Sequence, residues 1–455
     1  MEIQKKENKI NFIIEFCWLT VFFLLPLFFT TLVHGVWQIS KSGLFQILVE
    51  IMFFLWLIKI IQKKNFFQKI LIKIKPLLPA IIFILILGLA TFFSKTPYSS
   101  FWGYYDRKMG YLIWLHYFIF FLILFFNLKK EKQLIRIFQA IAFSSFFVSI
   151  YGLLQLLGLD PFSWSEPSVI TQRIFSTFGQ PNFLASWLLF SWPIFLYLIY
   201  FQKRSQTKND VVKNCWKIFY SFGLALNLIA LFFTQSRAGW LAFFLSLLFL
   251  IFIILIKKRK KFFIKAFLIL VLIFFISIVF LNFYPLSISH RENILIQRIK
   301  TLSHLGEAGK LRMIWWRHAW DLIRKKPILG YGLETQYNIF APYYQPEYGA
   351  LEAINSMPDR AHNDFLDITL VAGFLGLASY LFLLAIVFIK GLKKFFSKLF
   401  FSDGLNLQLM IPFILTGLLG YLISIQFSFH TTATAVYFWV YLALSFKIIY
   451  GDFSK

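Results

Sequence analysis

The sequence predicts an all-α protein that crosses a membrane about twelve times and carries one long polar loop. Its 455 residues are 59% hydrophobic and include 61 phenylalanines, and the mean hydropathy is +0.70. This composition is typical of polytopic membrane proteins, because a soluble domain of this length could not bury so much apolar surface. Neither an internal repeat nor a soluble domain is evident, so we predict a single membrane domain over residues 1–455.

Twelve apolar stretches are long enough to cross a bilayer as helices, which takes about 20 residues each. They are residues 13–33, 43–61, 76–94, 111–127, 134–157, 182–201, 217–234, 237–256, 262–284, 363–389, 406–426 and 429–449. The longest connection joins the ninth and tenth spans over residues 285–361, and we expect amphipathic helices within it.

Basic residues alternate along the connections, and this alternation predicts the orientation of the chain. The connections rich in Lys and Arg are residues 1–12, 59–75, 128–136, 202–217, 257–265 and 390–398. The positive-inside rule keeps such segments in the cytoplasm, whereas long loops escape the rule. Both termini are therefore predicted to be cytoplasmic and the long loop to be extracytoplasmic. The net charge of +26 follows from this topology and does not indicate nucleic-acid binding.

Polar motifs gather in the connections that are predicted to lie outside. These segments are residues 102–110, 172–182, 234–240, the long loop and residues 429–432. The cytoplasmic connections are rich in lysine and almost free of motifs. The sequence therefore predicts that the functional surface is extracytoplasmic.

Arg237 stands at the start of a long apolar helix, in a connection of only two or three residues. The free N–H groups and the positive dipole end of a helix N-terminus attract anions. A guanidinium can also bind a phosphate through two parallel hydrogen bonds. This combination predicts an anion site, and the alternative is an interfacial arginine that reaches to lipid headgroups.

Residues 311–324 of the long loop form an amphipathic pattern. Apolar residues recur with a helical period at positions 311, 314, 315, 319, 322 and 323. Such a helix lies on a membrane or against the bundle. Arg312 in this helix is a candidate for contact with a lipid phosphate. Alternatively, the basic side chains of the helix only meet anionic headgroups.

His362 lies where the long loop enters the next span, and Asn363, Asp364 and Asp367 follow it. A histidine can remove a proton from a hydroxyl near neutral pH, as glycosyl or acyl transfer to an alcohol requires. The alternative is that the histidine only occupies the start of the helix and takes no part in catalysis. The spacing of the two aspartates could bind a metal, but acidic residues in a first turn more often complement the helix dipole.

Several motifs that would indicate other functions are missing from the sequence. It has no P-loop, no His-Glu-x-x-His and no Asp-x-Asp within a soluble domain. ATPase, zinc-protease and nucleotide-sugar chemistry therefore have no support. We expect neither a metal nor a cofactor.

Three groups of residues form a pattern that resembles a known family. They are Ser-Arg-Ala-Gly-Trp at 236–240, Arg312 with Trp316 and the turn Pro327-x-x-Gly330-x-Gly332, and Asp-Arg-Ala-His-Asn-Asp at 359–364. Upstream segments at 102–110, 151–161 and 176–182 extend the pattern, in order, over roughly residues 95–390. This combination resembles the O-antigen ligase superfamily, which includes O-antigen ligases, O-antigen polymerases and bacterial protein O-oligosaccharyltransferases.

The resemblance implies a glycosyltransferase of the bacterial cytoplasmic (inner) membrane that works on the outer face. Such enzymes move a preassembled glycan from undecaprenyl diphosphate to an acceptor, without a metal and with inversion at the anomeric carbon. Carried over to this chain, Arg237 and Arg312 would hold the diphosphate, and His362 would activate the acceptor hydroxyl. The further candidates for substrate binding are Arg107, Arg173, Arg317 (in place of Arg312), Arg360 and Asn363.

The expected partners are the undecaprenyl-diphosphate-linked glycan, membrane lipids, and an acceptor that is a glycolipid, a growing glycan or a protein. We favour an O-antigen ligase-like activity, with O-antigen polymerase or protein O-oligosaccharyltransferase as alternatives. The non-enzyme alternative is a polyprenyl-lipid transporter or flippase. A transporter should place ionisable residues near the middle of its spans, whereas the span interiors here are almost free of them.

Overall fold

The computed structural model describes most of the chain. The described residues are 2–62, 74–164, 173–204, 210–265, 268–269, 307–346, 357–397, 407–451 and 453. Parts of the predicted long loop, residues 285–306 and 347–356, lie outside them. So does most of the predicted ninth span, residues 262–284.

The architecture is all-α, as predicted from the sequence. The helices are Glu2–Leu27, Gln38–Gln62, Leu78–Phe92, Pro97–Trp102, Tyr111–Asn127, Glu131–Leu156, Pro181–Arg204, Asp210–Phe233, Arg237–Lys257, Glu307–Lys325, Gln336–Phe340, Asp364–Phe396, Ile411–Ser424 and Thr432–Tyr450. Within the described residues, ten helical segments are long and apolar enough to cross a membrane. The shorter apolar helix Tyr111–Asn127 coincides with the predicted fourth span. Eleven of the twelve predicted spans therefore fall on described helices, and the protein is a multi-pass membrane protein.

The helix Thr432–Tyr450 forms the centre of the bundle. In its most apolar stretch, 94% of the residues are buried. The hydroxyl of Tyr437 donates to the carbonyl oxygen of Phe22 at 2.6 Å, and the hydroxyl of Tyr441 donates to that of Phe190 at 2.5 Å. These bonds satisfy polar groups that would be costly to leave unpaired inside the bundle. The end of the bundle at which this helix begins is called the site end below.

Lys41 fastens two connections together at the site end. Its ammonium group is almost fully buried. It donates to the carbonyl oxygens of Phe28 at 2.6 Å and Thr177 at 2.7 Å. A buried cation without hydrogen-bond partners costs free energy. These bonds therefore hold the segment at Phe28 against the segment at Thr177.

The helix Asp364–Phe396, called the His362 span below, is broken at Gly373. This glycine has a φ of +65° and a non-helical conformation. The break frees backbone groups of the helix, and a segment of the long loop binds them. The N–H of Phe374 donates to the carbonyl oxygen of Pro327 at 2.7 Å, and the N–H of Tyr331 donates to that of Leu370 at 2.9 Å.

Glycine is required on both sides of this contact. A Cβ on Gly373 would overlap the carbonyl oxygen of Ile328, and a Cβ on Gly330 would overlap that of Leu370. Gly330 also has a positive φ of +65°, where side chains are disfavoured. The predicted Pro-x-x-Gly-x-Gly turn is therefore a docking segment whose backbone pairs with the opened span.

Candidate functional site

His362 lies between two aromatic side chains at the entrance of the His362 span. Its imidazole stacks on the indole of Trp315, with 5.2 Å between centroids and 25° between planes. The ring of Phe429 meets it edge to face at 5.1 Å. Trp315 comes from the amphipathic helix Glu307–Lys325, and Phe429 precedes the central helix. Two other segments of the chain thus fix the position of the imidazole.

The peptide before His362 is clamped from both sides. The indole Nε1 of Trp316 donates to the carbonyl oxygen of Ala361 at 2.9 Å. The N–H of Ala361 donates to Oδ1 of Asp367 at 2.8 Å. His362 itself has a φ of +51°, a conformation that costs about 1–2 kcal/mol for a residue other than glycine. The clamp holds the histidine in a backbone conformation that it would otherwise leave.

The electrostatic surroundings keep the imidazole of His362 neutral. Burial, together with the positive charges of Arg312, Arg107 and Arg360, lowers its pKa from 6.5 to about 3. A neutral imidazole has a lone pair that can accept a proton. The structure therefore brings three of the predicted arginines to the predicted base.

Arg312 and Arg317 have different surroundings, although they share one helix. Arg312 is half-buried, and its charge acts on His362. Arg317 is exposed, and its charge acts on His318 of the same helix. Of the two alternatives for the loop arginine, only Arg312 contributes to the lowered pKa of His362.

Arg107 and Arg360 each have a carboxylate partner. Arg107 pairs with Asp359, and its guanidinium lies 4.5 Å from the centre of the Phe429 ring. Arg360 pairs with the buried Glu334. Burial lowers the pKa of each arginine to about 10, which leaves both cationic at neutral pH. A bound anion would have to compete with these carboxylates.

Arg173 and Arg237 lie on neighbouring turns at the site end. Nε of Arg173 donates to the carbonyl oxygen of Thr234 at 3.0 Å, and its Nη2 donates to Oδ1 of Asn182 at 3.4 Å. The half-buried Arg237 begins the helix Arg237–Lys257, whose N-cap Ser236 accepts from the N–H of Gly239 at 3.2 Å. Arg173 therefore supports the turn from which Arg237 projects.

These turns are connected to His362 through packed side chains. Asn182 is followed by Phe183, whose ring packs against Phe429 at 5.2 Å between centroids. Phe429 in turn contacts the imidazole of His362. Arg173, which supports the turn before Arg237, is thus linked to His362 through a chain of neighbouring contacts.

Asn363 has a structural position in the fold. Its Oδ1 accepts from the N–H of Leu366 at 3.0 Å and caps the His362 span. Its Nδ2 donates to the carbonyl oxygen of Gln426 at 3.2 Å. Both ends of the amide are thus engaged with the protein, although the sequence predicted contact with substrate.

Sequence reasoning missed the acidic partners in this network. Glu334 has a φ of +55° and accepts from the N–H of Tyr104 at 3.2 Å while it pairs with Arg360. One signal in the sequence could have indicated this pairing. Glu334 is an acidic residue just after the Gly330-x-Gly332 turn, in a loop rich in arginine. The pairing of Asp359 with Arg107 had no comparable signal, because the two residues are far apart in sequence.

A cavity lined by both apolar and polar side chains adjoins the clamp. Its walls include Gln336, Arg360, Asp364, Asp367 and His430. Nε2 of His430 lies 3.0 Å from Oδ1 of Asp364, and the hydroxyl of Tyr421 lies 2.7 Å from Nδ1 of His430. Phe429 is shared between the cavity and His362, so the cavity and the imidazole are close neighbours.

Part of the chain matches the sequence model of a known family. The sequence model of a family described as O-Antigen ligase matches residues 222–381. That stretch contains Arg237, Arg312, His362 and the break at Gly373, whereas the upstream segments at 102–110 and 151–182 lie before it. None of the curated proteins matches the chain.

Proposed function

This chain belongs to the O-antigen ligase superfamily of membrane glycosyltransferases, and we propose that it moves a preassembled glycan from undecaprenyl diphosphate to an acceptor hydroxyl. The observation that carries the proposal is the neutral imidazole of His362 beside the charge of Arg312. A base with a free lone pair and a cation for the leaving group are what this transfer requires.

The proposed reaction is a single displacement at the anomeric carbon. The acceptor oxygen forms a bond to that carbon while the bond to the diphosphate oxygen breaks, and the electron pair leaves with undecaprenyl diphosphate. The hydroxyl proton passes to the imidazole of His362. Attack on the face opposite the leaving group inverts the anomeric centre.

Arg312 and Arg237 are proposed to stabilise the charge that grows on the diphosphate. Guanidinium groups fit phosphate oxygens through paired hydrogen bonds. The proposal does not require a metal, and activity that persists in excess EDTA would support this part of it. Arg107 and Arg360 would act on the site mainly through their charge, because Asp359 and Glu334 already bind them.

The proposed location is the bacterial cytoplasmic membrane, with the site end outside and both termini in the cytoplasm. The alternation of basic connections supports this orientation. His362, Arg312 and Arg237 all belong to segments at the site end. Placing the reaction there would give it access to glycans assembled on a lipid that has already crossed the membrane.

The direct test uses the purified full-length protein in nanodiscs with an undecaprenyl-diphosphate-linked oligosaccharide. Released undecaprenyl diphosphate and the joined product are measured with a lipid A–core glycolipid, a second lipid-linked glycan or a pilin as acceptor. We expect His362→Ala and Arg312→Ala to lose about 100- to 1,000-fold in kcat. The matched control Arg317→Ala should retain most of the activity.

The acceptor that yields product separates ligase, polymerase and protein O-oligosaccharyltransferase activity. Full turnover by both His362→Ala and Arg312→Ala would contradict the assigned roles. An absence of released undecaprenyl diphosphate with every acceptor would contradict the proposed activity itself.

One observation favours transport of polyprenyl lipids as a second candidate function. Glu50, in the middle of the helix Gln38–Gln62, lies 3.2 Å from Nε2 of His116 on the neighbouring helix. Ionisable pairs at such depth often mark transport pathways. Movement of the lipid across vesicle membranes, lost in Glu50→Gln and without release of undecaprenyl diphosphate, would support transport over transfer.

A further inference from the structure

Two upstream motifs, residues 151–161 and 176–182, have no part in the proposed mechanism, yet the structure joins them through one carboxylate. Asp160 accepts four hydrogen bonds from described residues of its own segment. The donors are Nε2 of Gln155 at 2.8 Å, the hydroxyl of Tyr151 and Nε1 of Trp164, both at 2.9 Å, and the N–H of Phe162 at 3.0 Å. Bonds to a charged acceptor are stronger than neutral ones, so this carboxylate holds the groups around it firmly.

Gln155 connects the carboxylate to the second motif. Its Nε2 is held by Asp160, while its Oε1 accepts from the N–H of Ser176 at 2.7 Å and from the N–H of Phe175 at 3.3 Å. An amide that is bonded at both ends has a single orientation, because a flip would exchange its donor and its acceptor. Asp160 therefore fixes the oxygen atom to which the backbone of the second motif binds.

The backbone that Gln155 holds is strained. Ser176 has a φ of +49°, a conformation that costs about 1–2 kcal/mol for a residue other than glycine. The Ser176 hydroxyl also donates to the carbonyl oxygen of Val148 at 2.7 Å, on the helix that carries Gln155. Without these bonds the backbone would relax, and the residues just before Ser176 would move with it.

Those preceding residues support the turn before Arg237. The N–H of Ile174 donates to the carbonyl oxygen of Phe233 at 3.3 Å, and Nε of Arg173 donates to that of Thr234 at 3.0 Å. Arg237 follows this turn directly and begins the next helix. A series of hydrogen bonds thus continues from the carboxylate of the first motif to the backbone that carries Arg237.

We propose that Gln155 and Asp160 are positioning residues for Arg237. They hold the 173–176 segment, and this segment sets where the guanidinium meets the diphosphate of the donor. Paired hydrogen bonds to a phosphate require a well-placed guanidinium, so a small displacement weakens them. The proposal rests on the proposed function and adds the upstream motifs to the donor site. Both side chains are bonded within the protein and act on the donor only through Arg237.

The test is a double-mutant cycle on the full-length protein in nanodiscs. The nanodiscs contain undecaprenyl diphosphate at increasing mole fraction, and native mass spectrometry counts the bound lipid. Gln155→Met keeps the length of the side chain but removes its donor and its acceptor. We expect this change to raise the Kd roughly 3- to 10-fold when Arg237 is present.

The same change is then made in the Arg237→Ala background. Arg237→Ala should itself raise the Kd about tenfold. Adding Gln155→Met should then change the Kd by less than twofold, because the group that Gln155 positions is gone. Residues that act through one another are non-additive in this way, whereas an independent effect on the fold would add.

Gln133 provides a matched control at the opposite end of the same helix. Its Oε1 also accepts from two backbone N–H groups, those of Lys129 and Lys130, both at 2.9 Å. Its Nε2 also donates to a carboxylate, that of Glu15 at 2.9 Å. Gln133→Met should therefore disturb the helix to a similar degree and leave the Kd within twofold of the wild-type value.

Asp160→Asn is a second variant, which keeps the test decisive if Gln155→Met does not fold. It replaces one acceptor oxygen by a donor, so two of the four bonds to Asp160 are lost. We expect the same rise in Kd and the same loss of effect in Arg237→Ala. A Kd within twofold of wild type in both upstream variants would overturn the inference, as would an equal rise with and without Arg237.

The cycle also separates this inference from the proposed function. Undecaprenyl diphosphate that does not bind to the wild-type protein, or that binds equally well to Arg237→Ala, would reject the proposed donor site and the positioning role together. Binding that is weakened by Arg237→Ala but by neither upstream variant would leave the donor site standing and reject the positioning role alone.

Discussion

The indole of Trp316 donates a 2.9 Å hydrogen bond to the carbonyl oxygen of Ala361. This bond joins the amphipathic helix that carries Arg312 to the segment that carries His362. The proposed leaving-group cation and the proposed base are therefore mounted on parts of the chain that contact each other directly. Their relative position depends on a few bonds that can be removed one at a time.

Trp316→Phe removes this hydrogen bond and keeps an aromatic ring. We expect kcat to fall about tenfold, because a loosened base loses alignment with the acceptor, while KM for the donor stays nearly constant. The assay is release of undecaprenyl diphosphate at saturating donor. Trp320→Phe, on the exposed side of the same helix, is the control. A similar loss of kcat in both variants would contradict a specific role for the bond to Ala361.

Arg312→Ala should raise the pKa of His362, because the positive charge of Arg312 contributes to its depression. Diethyl pyrocarbonate modifies only neutral imidazole, so the pH dependence of its reaction with His362, followed by mass spectrometry, reports this pKa. Arg317→Ala removes an exposed charge from the same helix and should leave the pKa unchanged. Equal shifts in the two variants would contradict the assignment.

The low pKa of His362 also predicts a pH dependence of stability. In the unfolded chain the imidazole takes up a proton below about 6.5, whereas in the fold it does so only near pH 3. Its contribution to stability is therefore complete above pH 6.5 and is lost as the pH falls from about 6.5 to about 3. The melting temperature should fall less between pH 7 and pH 4 in His362→Gln than in the wild type.

Glu334→Gln should destabilise the fold, since it leaves the guanidinium of Arg360 without its charged partner. The side chains are 1% and 10% exposed, and breaking a buried pair of this kind costs about 3–5 kcal/mol. Thermal unfolding in nanodiscs measures the change. In the control Asp210→Asn, the pair with Lys213 has an aspartate that is 87% exposed, so the loss should be about 0.5 kcal/mol or less. Similar losses would show that Glu334 contributes little.

Gly373→Ala should disrupt the docking of the long loop onto the His362 span. The added Cβ would overlap the carbonyl oxygen of Ile328, and the positive φ adds a cost of about 1–2 kcal/mol. We expect a clear fall in melting temperature together with loss of turnover. Gly43→Ala, in the interior of the helix Gln38–Gln62, meets no atom within 4 Å and should be neutral or slightly stabilising. Wild-type stability of Gly373→Ala would contradict the docking role.

Hydropathy predicted the spans well because it depends only on local composition. The predicted span 111–127 coincides with the helix Tyr111–Asn127, and the predicted span 237–256 differs from Arg237–Lys257 by one residue. The break at Gly373 was not predicted, since residues 368–389 contain neither a charged residue nor a proline. A broken helix becomes stable only when another backbone satisfies it, and the partner here lies about 40 residues earlier in the chain.

Part of the candidate site was predictable, because residue type and position along the chain are also local properties of the sequence. His362, Arg312 and Arg107 could be selected by residue type and by their predicted face, and the structure brings them together. The pairing of Arg360 with Glu334 and the two bonds to Ala361 depend on contacts between separate segments. The capping role of Asn363 likewise depends on the fold, and its predicted contact with substrate stays a prediction.

The pairing of the loop backbone with the broken span has a consequence for how this sequence can change. Strand-like pairing has a register, and a one-residue shift exchanges every partner. A residue inserted between Pro327 and Tyr331 would leave His362 in place but would displace the amphipathic helix relative to it. Insertions should therefore be tolerated elsewhere in the polar connection far more readily than in these few residues. The number of residues between Pro327 and Tyr331 therefore sets the distance between the helix that carries Arg312 and the segment that carries His362.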